Sequence, residues 1–256
     1  EQWMDYWEAE EGITRGESID RLARGYNAAR AIPKRSKVNT ASAQYSAGHK
    51  AYEAYAATNG VEDLTPAEKI QLENYFIEYA EIQKLSETGE FATVDIANEA
   101  VSEIFLGMTH ITGVEFGAFI GNMGSYAQLS DILFGSRTKP AINPDSEKTL
   151  KAAQTLKNKG GFVVNSFTHT HPTPFDRVDG TTKQHYSRDD ASTFAKTYPG
   201  SRESYAEKFG MANSNGNGYL YVLTQSTGLR HRHGMTSVLG TGDAINEDDR
   251  RKGAVY

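Results

Sequence analysis

The stretch GFVVNSFTHTHP, residues 161–172, joins an apolar run to two histidines and a proline. The run 161–167 is short and rich in valine and phenylalanine, which is typical of a buried β-strand. Side chains two residues apart on a strand point to the same face of the sheet. His169 and His171 are therefore predicted to lie side by side and to face one pocket. Pro172 then bends the chain away, because the residue before a proline avoids the helical region.

Two imidazoles held in this way form a suitable pair of zinc ligands. Neutral imidazole binds zinc well, and a catalytic zinc usually has three protein ligands and one position open to water. After a loop the chain supplies the sequence YSRDD at 186–190. Ser187 has the position of a helix N-cap, which places Asp190 in the first turn, near the positive end of the helix dipole. Asp190 is the candidate third ligand, and Asp189 is the alternative.

A hydrolytic zinc site also needs a group that takes a proton from water and passes it to the leaving group. Glu115 is the candidate, since it is the one carboxylate in the strand-like segment GVEFGAFIGN, residues 113–122. The alternative for Glu115 is a place on the solvated face of an edge strand. Glu99 and Glu103 are substitutes for the same role, although both fit an exposed helix face better. Ser187 is a further candidate, for stabilising the oxyanion of a tetrahedral intermediate.

The rest of the chain predicts an α+β protein, with a helical N-terminal region followed by a region that contains both strands and helices. Residues 1–92 show helical spacing and the capping-box sequence TPAE at 65–68. The inward side of the helix that starts there is predicted to hold Ile70, Tyr75, Phe76, Tyr79 and Ile82. Strands are predicted at 218–224 and 229–233. We expect residues 1–92 to be an adaptor or shield and residues 93–256 to be the metallohydrolase domain.

Composition narrows the function classes. The net charge is −6 and no basic stripe interleaved with aromatic residues is visible, so the electrostatic signature of a nucleic-acid-binding protein is missing. The chain has no cysteine, which excludes disulfides, thiolate metal ligands and the zinc deaminases, whose motif contains two cysteines. The most apolar stretch, 105–123, contains His110, Glu115 and four glycines, so it is not predicted to span a membrane.

Together, Glu115, His169-Thr170-His171-Pro172 and Ser187-Arg188-Asp189-Asp190 resemble the motif of JAB/MPN-type metallopeptidases, the JAMM group. The sequence is also similar to a JAB-like domain at the C-terminal ends of bacterial polymorphic toxins and Rhs-type effectors. In that group a Glu-aromatic-Gly strand precedes the histidines, and here it is Glu115-Phe116-Gly117. The resemblance covers residues 95–233 and leaves the N-terminal helices unexplained. The loop between His171 and Ser187 is longer than in the shortest family members.

The resemblance implies a JAMM-like mixed β-sheet flanked by helices after the helical N-terminal region. It also implies a zinc ion held by His169, His171 and Asp190, with Glu115 as general base in peptide or isopeptide hydrolysis. It further implies a secreted bacterial effector that is delivered into a target cell, acts on a peptide or protein substrate and has a cognate immunity protein. One alternative is a metal-free, MPN-like binding module. Another is a metal-dependent toxin that attacks peptidoglycan or nucleic acid, of which nucleic acid is disfavoured by the acidic charge. A purely structural histidine pair is the simplest alternative.

Overall fold

The computed structural model describes residues 42–122, 126–159, 163–172, 193–211, 219–224, 230–234 and 254–255. In this part the helices are α1 (Ala43–Asn59), α2 (Pro66–Glu87), α3 (Val94–Thr112), α4 (Glu147–Lys157) and α5 (Tyr205–Phe209). The strands are β1 (Phe116–Asn122), β2 (Ala127–Leu129), β3 (Leu133–Phe134), β4 (Val163–His171), β5 (Tyr219–Thr224), β6 (Arg230–Gly234) and β7 (Ala254–Val255). The predicted α+β class is confirmed. Among the described helices, none combines the length and the apolar character that crossing a bilayer requires.

Helix α2 begins at the predicted capping box. The Thr65 hydroxyl accepts from the Glu68 N–H at 3.3 Å, and the Glu68 carboxylate accepts from the Thr65 N–H at 2.8 Å. Most of the predicted inward side is confirmed, but Ile70 is wrong, because its side chain is 62% exposed. The buried stripe of α2 starts at Leu72. Ile70 lies two residues earlier, about 200° around the helix from that stripe, so it faces solvent.

The described strands form one mixed sheet in the order β2-β1-β4-β5-β6-β7, and β3 also pairs with β1. Strands β4 and β5 are parallel, whereas every other described pair is antiparallel. The strands predicted at 218–224 and 229–233 correspond to β5 and β6, which pair with each other. The strand predicted around the histidines corresponds to β4, which runs through both of them.

Apolar side chains cover both faces of the sheet. Helices α1, α2 and α3 pack on one face and form the first core, and α4, α5 and Phe194 pack on the other and form the second core. In β1 the alternation follows the sequence pattern: Phe116, Ala118 and Ile120 belong to the first core, and Phe119 belongs to the second. Both faces of this central strand are therefore covered by buried apolar side chains.

The helices that precede residue 92 share the first core with the sheet. The Tyr55 ring of α1 lies 5.7 Å from the Phe116 ring of β1, and the Phe76 ring of α2 lies 6.0 Å from it. The core is thus continuous across residue 92 in the described part. The division of the chain into an adaptor and an enzyme domain stays a prediction.

Candidate metal centre

The histidine pair lies at the C-terminal end of β4, on the face of the second core. The register between β1 and β4 shifts by one residue, which leaves an extra residue at position 165 of β4. Such a bulge reverses the inward-outward alternation. As a result Val164 and Phe167 both belong to the second core. His169 and His171 follow Phe167 on that same face.

The two imidazoles contact each other directly. Their Nε2 atoms are 3.0 Å apart and their ring centroids are 4.9 Å apart. Both side chains are buried, His169 at 1% and His171 at 3% exposure. The His169 ring also stacks on the Phe167 ring, at 5.3 Å between centroids and 16° between planes. The prediction that these two side chains share one face is confirmed.

The separation of the two nitrogens is close to what a shared metal ion requires. Two ligand atoms at about 2.0–2.1 Å from a tetrahedral zinc are about 3.3 Å from each other. Imidazole nitrogens are also among the ligands that zinc prefers. The distance of 3.0 Å also suits a direct hydrogen bond between rings in complementary tautomers. The geometry of the pair therefore fits a zinc ion and equally allows a metal-free contact.

The third predicted ligand, Asp190, is outside the part of the chain that the structure describes. Ser187, Asp189 and Asp190 lie outside the described residues, so their predicted roles stay predictions. Within the described residues, no group of three His, Asp, Glu or Cys side chains is placed to hold a metal ion. The described part therefore supplies two of the three predicted ligands.

Gly117 has no side chain, and this leaves space for His169 on the neighbouring strand. The two residues are directly opposite each other in the antiparallel pairing of β1 and β4. A Cβ atom on Gly117 would lie 2.4 Å from the Thr168 carbonyl oxygen, 2.9 Å from Ile142 Cδ1 and 3.1 Å from His169 Cβ. Real Cβ atoms do not approach a backbone atom so closely. Glycine at position 117 of the Glu-Phe-Gly sequence is thus explained by the close approach of the two strands beside the histidine.

Glu115 lies immediately before β1 and is half-buried. It precedes Gly117 by two residues and so belongs to the same face of the sheet as His169. Continuing the antiparallel register from the Gly117–His169 pair places Glu115 beside His171. Its carboxylate oxygen Oε2 accepts a hydrogen bond from the Ile142 N–H at 2.9 Å. The fold thus places Glu115 on the face of the sheet that holds the histidines, and its role as general base stays a prediction.

The two substitutes for Glu115 are placed differently. Glu99 and Glu103 are exposed on α3, as their sequence setting suggested. Helix α3 packs on the first core, which covers the opposite face of the sheet from the histidines. Among the three candidate glutamates, Glu115 is therefore the one that the fold places on the histidine face.

The sequence did not predict a role for the buried hydroxyls on the face of β4 opposite the histidines. Thr168 and Thr170 alternate with the histidines and face α3, and both are fully buried. The Thr170 hydroxyl is 2.6 Å from the Thr109 hydroxyl, and the Thr168 hydroxyl donates to Asn98 Oδ1 at 2.7 Å. The sequence contained one indication of these hydroxyl contacts: polar residues such as Asn98 and Thr109 occur in the mostly apolar helix α3.

The chain was compared with family models, with curated proteins and with solved structures. No family model, curated protein or solved structure matches it.

Proposed function

We propose that this chain is a zinc-dependent hydrolase of the JAMM type that cleaves peptide or isopeptide bonds. The observation that carries the proposal is the contact of two buried imidazole Nε2 atoms, 3.0 Å apart, at the end of a central strand. The position of Glu115 on the same face supports it. The proposed ligands are His169, His171 and Asp190, and the proposed general base is Glu115.

Zinc, when bound, supplies Lewis-acid chemistry: it polarises a carbonyl group and makes a water molecule acidic near neutral pH. His169 and His171 would hold the zinc through Nε2, which would require each ring to carry its proton on Nδ1. The Glu115 carboxylate takes a proton from the water and delivers it to the leaving nitrogen. The hydrogen bond from the Ile142 N–H to Oε2 holds this carboxylate in one orientation. The Ser187 hydroxyl is proposed to stabilise the oxyanion.

The proposed biological setting is a bacterial effector of which this chain is the toxic part, secreted and delivered into a target cell. A peptide or protein is the proposed substrate, and a cognate immunity protein is the proposed partner. This setting is supported by the resemblance of the Glu115, His-Thr-His-Pro and Ser-x-x-Asp motif to toxin-associated JAB-like domains.

A second candidate is a metal-free, MPN-like binding module. The observation that favours it is the same 3.0 Å separation, since two imidazoles can hydrogen-bond at that distance without a metal ion. Stoichiometric metal content distinguishes the two candidates directly.

The first experiment measures zinc in the purified chain after equilibration with zinc and removal of the excess. We expect about one zinc ion per chain in the wild type, as for a catalytic site with three protein ligands. His171→Ala should lose it. His49→Ala is the matched control, because His49 is a partly exposed histidine on α1 that contacts Glu73 and not the pair. A folded wild type without stoichiometric zinc would favour the binding module.

The second experiment tests the reaction. The chain is incubated with a proteome, with peptidoglycan sacculi and with plasmid DNA, so that the substrate classes are ranked. For the substrate that is cleaved, Glu115→Gln should keep the zinc and lose about 10²–10⁴-fold in rate, the usual contribution of a general base. Glu99→Gln, on the opposite side of the sheet, should keep wild-type activity. Undiminished turnover by Glu115→Gln would remove Glu115 from the mechanism.

A further inference from the structure

We infer that the paired hydroxyls of Thr109 and Thr170 are positioning groups that fix where the two histidines sit. This inference rests on the zinc site proposed above. Thr170 is the residue between the two histidines, and its side chain points to the opposite face of β4. The hydroxyl pair therefore acts on the imidazoles through the backbone of the strand.

A single buried hydroxyl connects three elements at this point. Thr170 Oγ1 lies 2.6 Å from Thr109 Oγ1 of α3 and accepts from the Phe116 N–H of β1 at 2.9 Å. Thr109 and Thr170 are both completely buried. A hydroxyl has one donor hydrogen and two acceptor lone pairs, so Thr170 can serve both neighbours at once. Helix α3, strand β1 and strand β4 are thereby held together one residue from each imidazole.

Such a connection matters because β4 contains a bulge. An extra residue at position 165 shifts the pairing with β1, and a shift of one residue exchanges the two faces of a strand. Apolar packing does not depend on direction, whereas hydrogen bonds do. The bond from Thr168 to Asn98 Oδ1, at 2.7 Å, adds a second directional contact on the same face. The two threonines thus specify one register for the segment that carries the histidines.

Stability accounts for part of this arrangement, because the buried Phe116 N–H needs a hydrogen-bond acceptor at position 170. It does not call for the contact between the two hydroxyls. Burying a polar group is unfavourable unless it is hydrogen-bonded, and replacing both partners of a buried pair by apolar groups of the same shape is often nearly neutral. Valine has the shape of threonine and would fill the same space beneath β4. The pair of hydroxyls is therefore best explained by the geometry that it imposes on His169 and His171.

The test compares four variants with the wild-type chain. Thr109→Val and Thr170→Val each remove one hydroxyl, and Thr170→Ser restores it with a smaller side chain. Ser102→Ala is the matched control, because the Ser102 hydroxyl is also buried in α3 and, within the described part of the chain, donates to the Asn98 carbonyl of its own helix. Thr109→Val keeps the test possible if Thr170→Val does not fold.

Two readouts are taken. The first is the ¹⁵N chemical shifts of the His169 and His171 rings at one pH in chelator-treated protein, which report the ring contact without metal. We expect changed shifts in both valine variants and wild-type shifts in Thr170→Ser and Ser102→Ala. The second is titration with Co²⁺, where the valine variants should bind about tenfold or more weakly and show an altered visible absorption band.

The outcomes separate the positioning role from the zinc site. Unchanged ring shifts in both valine variants would overturn the inference, and so would wild-type Co²⁺ affinity with an unaltered band in both. If the wild type takes up no Co²⁺ while the ring shifts still move in the valine variants, the positioning role stands and the proposed zinc-dependent function fails.

Discussion

Replacing Gly117 by alanine is expected to damage both the sheet and the proposed metal site. The new Cβ would lie 2.4 Å from the Thr168 carbonyl oxygen, against an ordinary contact of at least 3.4 Å, so β1 and β4 must separate locally by about 1 Å. Overpacking of this kind costs typically 1–3 kcal/mol of unfolding free energy, and a clash with backbone belongs near the upper end. Metal–ligand distances tolerate only about 0.2 Å, so zinc affinity should fall by at least about tenfold.

The assay is urea unfolding in the presence of a chelator, combined with zinc titration of the folded protein. Gly48→Ala is the control, because its Cβ would lie 2.3 Å from Ile77 Cα between α1 and α2, in the first core. We expect a comparable loss of stability in the control with unchanged zinc affinity. If Gly117→Ala unfolds within about 0.5 kcal/mol of the wild type, the size usual for a neutral surface change, and binds zinc equally well, the close approach of the strands is not a requirement of the site.

Three further predictions concern other parts of the fold. Thr65→Ala should lower the unfolding free energy by about 1 kcal/mol, because it removes the N-cap of α2, and urea denaturation measures this. The hydrogen bond from His49 Nδ1–H to the Glu73 carboxylate raises the pKa of His49, so the stability that this pair contributes is present below pH 6.5 and is lost as the pH rises through the raised value. Glu73→Gln should therefore destabilise the chain more at pH 5.5 than at pH 8.5, and equal losses would contradict this. Lys148 is exposed as a whole, but desolvation of its ammonium, which lies over the Phe134 ring, lowers its pKa to about 8. Its acylation measured by mass spectrometry should therefore have a midpoint nearer pH 8 than that of an ordinary lysine.

Features that depend on a few neighbouring residues could be predicted from the sequence. The capping box at Thr65 involves residues three apart, and the shared face of His169 and His171 needs only the period of a strand. Glu115 and Gly117 share a face for the same reason. These patterns hold whatever the remainder of the chain does, because each is set within one turn or one strand.

Features that depend on partners far along the chain could not be predicted in this way. An uninterrupted alternation counted from Val164 would have placed His169 on the opposite face, and only the register with β1 reveals the bulge at 165. No role for Thr170, the threonine between the histidines, could be predicted from the sequence alone, because its hydroxyl partner Thr109 lies on α3, far away in the sequence. The contact of Tyr55 with Phe116 likewise joins two residues that are too far apart in the sequence for a local pattern to predict it.

The parallel pairing of β4 and β5 has a consequence for how such a protein can diversify. Two parallel neighbours require a crossover connection, and the described section of this one, 193–211, sets Phe194, Tyr205 and Phe209 against the histidine face. Changes in that connection would remodel the walls around the imidazoles without altering the hydrogen-bond ladder beneath them. For the proposed hydrolase, selectivity can thus evolve in this connection while the sheet that carries His169 and His171 is inherited unchanged.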